Sequence, residues 1–349
     1  MRIGICTFTA ANNLGAVLQA FALKQKLRLE GHEAFCIDYR PSYLWDKYQP
    51  FSKIRIGKGN VLKNIVREFR ALPYLRKKNS GYNAFRTDLM DMLPEEDIKS
   101  LDMVVVGSDQ VWNFSLTGHD RMFLGYIPGF KGKVVTYAAS MEKLISDTQA
   151  LKDALPNFSC ISVREKSLQT FMKSEFDADT TLVLDPTLLL SHDEWTKIEQ
   201  PYSTEGKPFM LAYVFGIDEK RLAQLRKLAN DKGMQLLVFR GSARAGKGLV
   251  DTASPRQFLY LLRNAECVVT NSFHGTAFSI NYGKKFCVIP KETNERIETL
   301  LDFADIPQAL LPKGKDVDYS DFVQCNSFTD KLTDMLRQSE NYLQQITKD

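Results

Sequence analysis

Thr270-Asn271-Ser272-Phe273-His274-Gly275 gathers an imidazole, an amide and two hydroxyls into six residues. An imidazole titrates near neutral pH and can give or take a proton there. The apolar run Cys267-Val268-Val269 before it reads as a buried strand, and Thr276 to Gly283 after it reads as a helix closed by a glycine. That spacing puts His274 at a strand-to-helix turn. Open α/β sheets bind ligands just outside the carboxyl ends of their strands, and helix starts attract anions. The chain has four histidines, and this one has the context best suited to chemistry. A histidine that only hydrogen-bonds to fix the turn fits the same residues.

Three more polar sets fall at strand exits. Asn12, Asn13 and Gly15 follow the strand pattern Ile3 to Phe8, where side-chain amides and backbone N–H groups can face a ligand or simply cap the next helix. The turn is not GxGxxG, so the dinucleotide fingerprint is absent. Gly107, Ser108 and Asp109 follow Met103-Val104-Val105-Val106. A glycine directly after a buried strand permits a tight turn or a close approach to a ligand, and Ser108 or Asp109 can equally cap a helix. Arg164 follows Cys160-Ile161-Ser162-Val163. A guanidinium fixed there can clamp a carboxylate or phosphate, and its charge is unfavourable at a helix start. A salt bridge to Glu165 or another acid would account for it as well.

The elements that must hold these residues read as alternating strands and helices. The first strand is followed by a helix from Ala16 to Glu30, ended by Gly31, and by a strand from Ala34 to Tyr39, a β-α-β start that implies a parallel sheet. Further strands are expected at Met103–Val106, Lys133–Ser140, Cys160–Val163 and Leu182–Asp185. The segment Gln200 to Pro208 has a linker's composition. Beyond it a second series runs through Phe209–Phe215, Glu219–Asp231, Gln235–Phe239, Pro255–Asn264, Cys267–Val269 and Phe286–Ile289, then a helix Asn294–Phe303 carrying Arg296 and a last helix Asp330–Ile346. The predicted domains are residues 1–200 with a basic helical insertion at about 50–100, residues 207–326, and a C-terminal helix at 327–349. Two Rossmann-like α/β domains facing a cleft are the expected fold class.

Composition narrows the class. The chain has 349 residues, 44% of them apolar and 25% charged, which suits a globular protein of two domains. A net charge of +4, from 46 basic and 42 acidic residues, is too mild to imply nucleic acid. The six cysteines are scattered without a CxxC pair, so buried thiols in a reducing compartment are expected rather than a disulfide framework or a metal site. No run approaches the roughly 18 apolar residues that span a bilayer, and the N-terminus enters a strand pattern without a signal-peptide core; a cytoplasmic protein is expected. From Lys53 to Lys78 there are nine basic residues and one acid, Glu68, with apolar residues between them. That pattern suits peripheral contact with an anionic membrane surface, or a solvated helical insertion.

Five blocks, in order, carry a resemblance: Asn13-Leu14-Gly15-Ala16, Val106 to Trp112, Ile161 to Ser167, Leu184-Asp185-Pro186-Thr187, and Thr270 to Gly275. Together they resemble the polysaccharide pyruvyl transferase family over most of the chain. The resemblance implies a glycosyltransferase-B-like architecture and transfer of pyruvate from phosphoenolpyruvate onto a sugar, or a lipid-linked oligosaccharide, as a ketal in cell-surface or exopolysaccharide biosynthesis. It requires no metal or organic cofactor. It also implies an arginine and a leucine ahead of the histidine, where this chain has Ser272 and Phe273. Arg164, Arg240 and Arg296 are the candidates for the missing charge, with Arg164 the best matched.

On this reading His274 is the general acid or base and Asp109 orients or deprotonates an acceptor hydroxyl. Arg164, Arg296, Asn12, Asn13, Gly15, Gly107, Ser108, Asn271 and Ser272 bind substrate. A nucleotide-sugar-dependent glycosyltransferase on the same fold is a second reading, distinguished by a nucleoside diphosphate requirement. A non-catalytic glycan-binding protein is a third, and the absent arginine speaks for it.

Overall fold

The computed structural model describes residues 1–49, 61–141, 148–241 and 248–348, with the side chains of residues 61–64, 67 and 68 also outside the description. The chain divides into two units. The first comprises Met1–Leu44, Arg86–Leu190 and Asp330–Asp349; the second comprises Trp45–Phe85 and Ser191–Thr329.

The first unit is built on a parallel sheet of five strands, β1 (Arg2–Cys6), β2 (Glu33–Ile37), β3 (Met92–Leu93), β4 (Met103–Val106) and β5 (Lys133–Thr136), in the order β3-β2-β1-β4-β5. A short parallel pair, β6 (Ser162–Val163) and β7 (Thr181–Leu182), adjoins β5 through isolated bridges at Val135–Cys160 and Ala139–Val163. The central strands read as unbroken apolar runs because parallel strands are covered on both faces. All four residues of β4 are fully buried.

The second unit carries β8 (Phe209–Tyr213), β9 (Gln235–Phe239), β10 (Cys267–Thr270), β11 (Lys285–Val288) and β12 (Val323–Gln324), ordered β12-β11-β10-β8-β9. All its pairings are parallel except β11–β12. Helices Glu219–Asp231 and Pro255–Asn264 connect β8 to β9 and β9 to β10 over the expected residues. Serine and aspartate caps set their starts: Asp218 accepts from the Arg221 amide, and Ser254 and Gln257 form a reciprocal capping box. The fold is therefore α/β with two Rossmann-like parallel sheets, as the alternation of periods implies.

Each sheet reverses its winding once. In the first unit the chain leaves β1 toward β2 on one side, and β4 toward β5 on the other. In the second unit β8 leads outward to β9 while β10 leads the other way to β11. These two switch points, β1/β4 and β8/β10, are where connections diverge at the strands' carboxyl ends.

The units depart from the expected boundaries in three places. The change of unit falls between Leu190 and Ser191, ahead of the polar segment 200–208. The insertion is grouped with the second unit as far as Phe85, and helix Val61–Leu89, which continues through Pro73, runs across that boundary. The C-terminal helix Asp330–Thr347 belongs to the first unit, because Tyr342, Leu343 and Ile346 complete the apolar core formed by Ile3, Ile5, Val105, Val135 and Tyr137. Five of the six cysteines are buried and Cys160 is partly so. Burial pushes the thiols of Cys36 and Cys267 up to about 12.

Leu343 is fully buried in that core. Leu343→Ala should cost ~2–5 kcal/mol of stability through lost transfer energy and the cavity left behind, read as a shift in the urea midpoint. A change below about 0.5 kcal/mol would show that the helix is not an integral part of the first unit.

Candidate active site

At the β1/β4 switch point of the first unit, the loop after β1 is buried and organised by a residue whose sequence neighbours do not mark it. Arg86 donates from Nε to the Thr9 carbonyl (2.7 Å) and from Nη2 to the carbonyls of Ala10 (2.9 Å) and Ala11 (2.8 Å) and to Asn12 Oδ1 (2.8 Å). Asn12 is thus engaged as an acceptor within the loop. Asn13 is exposed and is the N-cap of helix Leu14–Leu29, its Oδ1 accepting from the Ala16 amide at 3.3 Å. Gly15 is buried in the first turn.

Across the switch point, Thr7 Oγ1 donates to the Ser108 carbonyl at 2.8 Å, tying the exit of β1 to that of β4. Gly107 sits at φ +105°, and a Cβ there would lie 2.5 Å from the Tyr137 carbonyl, so no other residue fits without displacing backbone. Asp109 also has positive φ, at +71°, and its Oδ1 accepts from the Gln110 amide at 2.9 Å. One strand further out, the phenols of Tyr39 and Tyr43 donate to the carboxylate of Asp120. Burial first, and the Asp120 carboxylate second, push both phenols up, so they remain donors over the working pH range.

Arg164 is 4% exposed and points into carboxylates. Its Nη1 donates to Asp185 Oδ2, its Nη2 donates to Ser140 Oγ at 3.0 Å and lies 3.7 Å from Asp109 Oδ1, and its Nε is 4.0 Å from Glu165 Oε1. Burial works against the charge, and Asp185, Glu165 and Asp109 outweigh it, so the guanidinium is held more firmly protonated than an ordinary arginine. The same cluster takes in Ser108, whose Oγ is 3.3 Å from Asp185 Oδ2, and Thr187, whose Oγ1 donates to Asp185 Oδ1 at 2.7 Å. The ion pair with an acid is the arrangement found. Arg164 fixes the strand exits, and its charge is committed to Asp185 rather than offered to a ligand anion.

The second unit places its chemistry at the β8/β10 switch point. Asn271 leaves β10 and clasps the exit of β8: its Oδ1 accepts from the Phe215 amide at 2.9 Å and its Nδ2 donates to the Phe215 carbonyl at 2.7 Å. Thr270 Oγ1 donates to the Tyr213 carbonyl at 2.8 Å and accepts from the Ser272 amide at 3.0 Å. Asn271 is therefore a brace for the turn. Ser272 is the N-cap of helix Phe273–Asn281, in extended conformation. His274 is the second residue of that helix, 7% exposed, with its ring edge-on to Phe273 at 5.3 Å between centroids. Gly275 lets the helix come down on the strand end, since a Cβ there would lie 2.2 Å from Thr270 Oγ1 and 2.9 Å from Tyr213 Cδ1.

Two cations overhang this turn. Arg296 lies over the Phe273 ring, its guanidinium carbon 6.0 Å from the centroid, and Lys291 Nζ is 5.6 Å from the centroid of Phe215. Both come from the segment after β11, where Asn294 accepts from the Lys291 amide at 2.8 Å and donates to its carbonyl at 3.0 Å. Both are partly exposed. Arg240, the third arginine considered, instead pairs with Glu219 at 3.1 Å and the Ile217 carbonyl at 3.2 Å. The structure thus groups His274, Ser272 and Arg296 around one helix start. It keeps Asn12, Asn13, Gly15, Gly107, Ser108, Asp109 and Arg164 together in the other unit. Lys291 and Phe215 were missed because nothing in the local sequence shows that the β11 exit returns over the β8 and β10 exits.

The model of the family described as polysaccharide pyruvyl transferase matches residues 13–291. The chain belongs to the polysaccharide pyruvyl transferase family. The match opens at the N-cap Asn13 and closes at Lys291, so it takes in the β4 exit and the β8/β10 switch point. No curated protein matches the chain. Among solved structures it is similar to a UDP-GlcNAc 2-epimerase from Neisseria meningitidis bound to UDP-GlcNAc, at 11% identity and TM-score 0.46, covering 100% of this chain and 95% of that one. It is also similar to the E. coli ADP-heptose LPS heptosyltransferase II, at 11% identity and TM-score 0.43, covering 97% and 100%.

Removing one partner from the Arg164–Asp185 pair leaves an uncompensated buried charge. Arg164→Ala or Asp185→Ala should therefore cost ~3–5 kcal/mol in chemical denaturation. A loss below about 1 kcal/mol in both variants would contradict a structural role for the pair.

Proposed function

We propose that the protein transfers the enolpyruvyl carbons of phosphoenolpyruvate onto a sugar as a pyruvate ketal, with the donor held by the second unit. The observation that carries this reading is His274 at the first turn of a helix outside β10, with Arg296 over the neighbouring Phe273, in a chain of this family. Phosphoenolpyruvate brings a carboxylate and a phosphate. A helix start, a guanidinium and an ammonium are the groups that bind such anions in water. Arg296 then supplies the positive charge for which Ser272 stands in place of arginine, with Lys291 as a second cation.

The reaction needs a proton delivered to the methylene carbon of the enol, which becomes the ketal methyl. The adjacent carbon accepts two sugar oxygens and loses phosphate. One acceptor hydroxyl proton balances the proton gained by carbon, and the other leaves with phosphate. His274 is the proton donor in this scheme, a role that typically contributes about 100- to 10,000-fold. The first unit suits the acceptor. Its strand exits carry Asn13, Asp109, Gln110 and the Tyr39–Tyr43–Asp120 group, neutral donors and carboxylate acceptors of the kind that hydrogen-bond hydroxyls. Asp109 is the group proposed to orient or deprotonate an acceptor hydroxyl, and Arg164 positions it from 3.7 Å. A lipid-linked acceptor would bring the reaction to a membrane surface.

Incubation with phosphoenolpyruvate and candidate acceptor glycans, followed by phosphate release and the ketal methyl resonance in proton NMR, tests the reading. The wild type should give both signals in equal amounts. His274→Ala should lower the rate about 100- to 10,000-fold with an unchanged circular dichroism spectrum. A near-normal rate in that variant removes His274 from the mechanism. Consumption of a nucleoside diphosphate sugar with no ketal signal would replace pyruvyl transfer by glycosyl transfer.

A further inference from the structure

Among the described residues five large apolar side chains are exposed, and three of them lie within nine residues of helix Val61–Leu89: Val66 at 49%, Phe69 at 58% and Tyr74 at 38%. Soluble surfaces carry single apolar side chains without consequence, and a cluster of them marks an interaction site. Val66, Phe69, Pro73 and Lys77 recur at three- and four-residue spacing, so they share one side of the helix. Arg70, Pro73, Arg76 and Lys77 are exposed around the apolar three. The opposite side is anchored in the second unit. Lys78, Tyr82 and Phe85 are buried, Lys78 Nζ donates to the Gly241 carbonyl at 2.9 Å, and a Cβ on Gly81 would lie 2.9 Å from Ser254 Cβ. The helix is thus held by one side and shows the other.

We propose that this exposed face docks the protein on an anionic lipid surface. Charge complementarity selects the occupant: the three exposed cations are interleaved with aromatic and aliphatic side chains on the same side, and the sequence from Lys53 to Lys78 carries nine basic residues to one acid. Residues 50–60 of that stretch lie outside the described part. Phosphate headgroups meet the cations, and Phe69 and Tyr74 reach the boundary between headgroups and acyl chains. Nucleic acid would use the cations and leave the apolar side chains in water. Among the described residues no helix is long and apolar enough to cross a membrane, so the contact is peripheral. The proposal stands independently of the donor and acceptor chemistry.

The test is co-sedimentation of the full chain with phosphatidylcholine vesicles, with and without 30% phosphatidylglycerol. The wild type should pellet with the anionic vesicles alone, and less at 1 M salt than at 0.1 M, as the screening length falls from about 10 to 3 Å. Arg70→Gln/Arg76→Gln/Lys77→Gln should weaken partitioning on the order of 100-fold, from about 5-fold per charge. Phe69→Ser/Tyr74→Ser should weaken it about 10-fold or more with the charges intact. All substituted side chains are exposed, so folding is checked directly by circular dichroism. Three results would each overturn the proposal: no pelleting of the wild type, equal pelleting of the charge variant, or a Phe69→Ser/Tyr74→Ser variant that binds vesicles normally but loses self-association.

Discussion

A parallel sheet wound in both directions has to part its connections somewhere, and that constraint shapes both units. Where the chain leaves β8 for one side and β10 for the other, the strand exits diverge and a helix start is left pointing at the opening. The same holds between β1 and β4. Each opening is stitched at its base by a threonine hydroxyl donating across the gap, Thr7 to the Ser108 carbonyl and Thr270 to the Tyr213 carbonyl.

The two openings are furnished differently. The first unit's polar groups are largely committed to one another. Arg86 holds the β1 loop by its carbonyls, and Arg164 holds the β4 and β6 exits through Asp185, Ser140 and Asp109. A buried arginine among three carboxylates is a fixed structural charge, and disturbing it costs more than it gives to a ligand. The second unit holds its turn with neutral groups, Thr270 and Asn271, and brings its cations in from the β11 exit. Arg296 and Lys291 remain partly exposed over aromatic rings. On the proposed reading, that difference favours the second unit for an anionic donor.

Much of this was legible in the sequence because it depends on local period. Apolar runs bounded by Gly, Asn or Ser marked the central strands of both units but not the two-residue edge strands β3 and β12, and the helices Glu219–Asp231 and Pro255–Asn264 fall on the expected residues. His274 could be placed at a strand-to-helix turn because the strand, the turn and the helix are contiguous. What could not be read is contact between segments far apart in the chain. The pairing of Arg164 with Asp185 spans 21 residues, that of Arg86 with the β1 loop spans 74 to 77, and the return of helix Asp330–Thr347 to the first core spans nearly the whole chain. A sequence ranks arginines by their neighbours, and by that measure Arg164 led. Burial and partners reverse the order and favour Arg296.

On the proposed reading, the helix start at His274, with Arg296, binds the phosphoenolpyruvate anion. Calorimetric titration of phosphoenolpyruvate into the wild type and into Arg296→Ala tests it most directly, since Arg296 is partly exposed and its loss should leave the fold intact. Losing one charge-assisted contact, worth about 1.5–3 kcal/mol, should weaken binding roughly 10- to 100-fold. Equal affinity in the two proteins, or wild-type protein that takes up a nucleoside diphosphate and not phosphoenolpyruvate, would contradict the account.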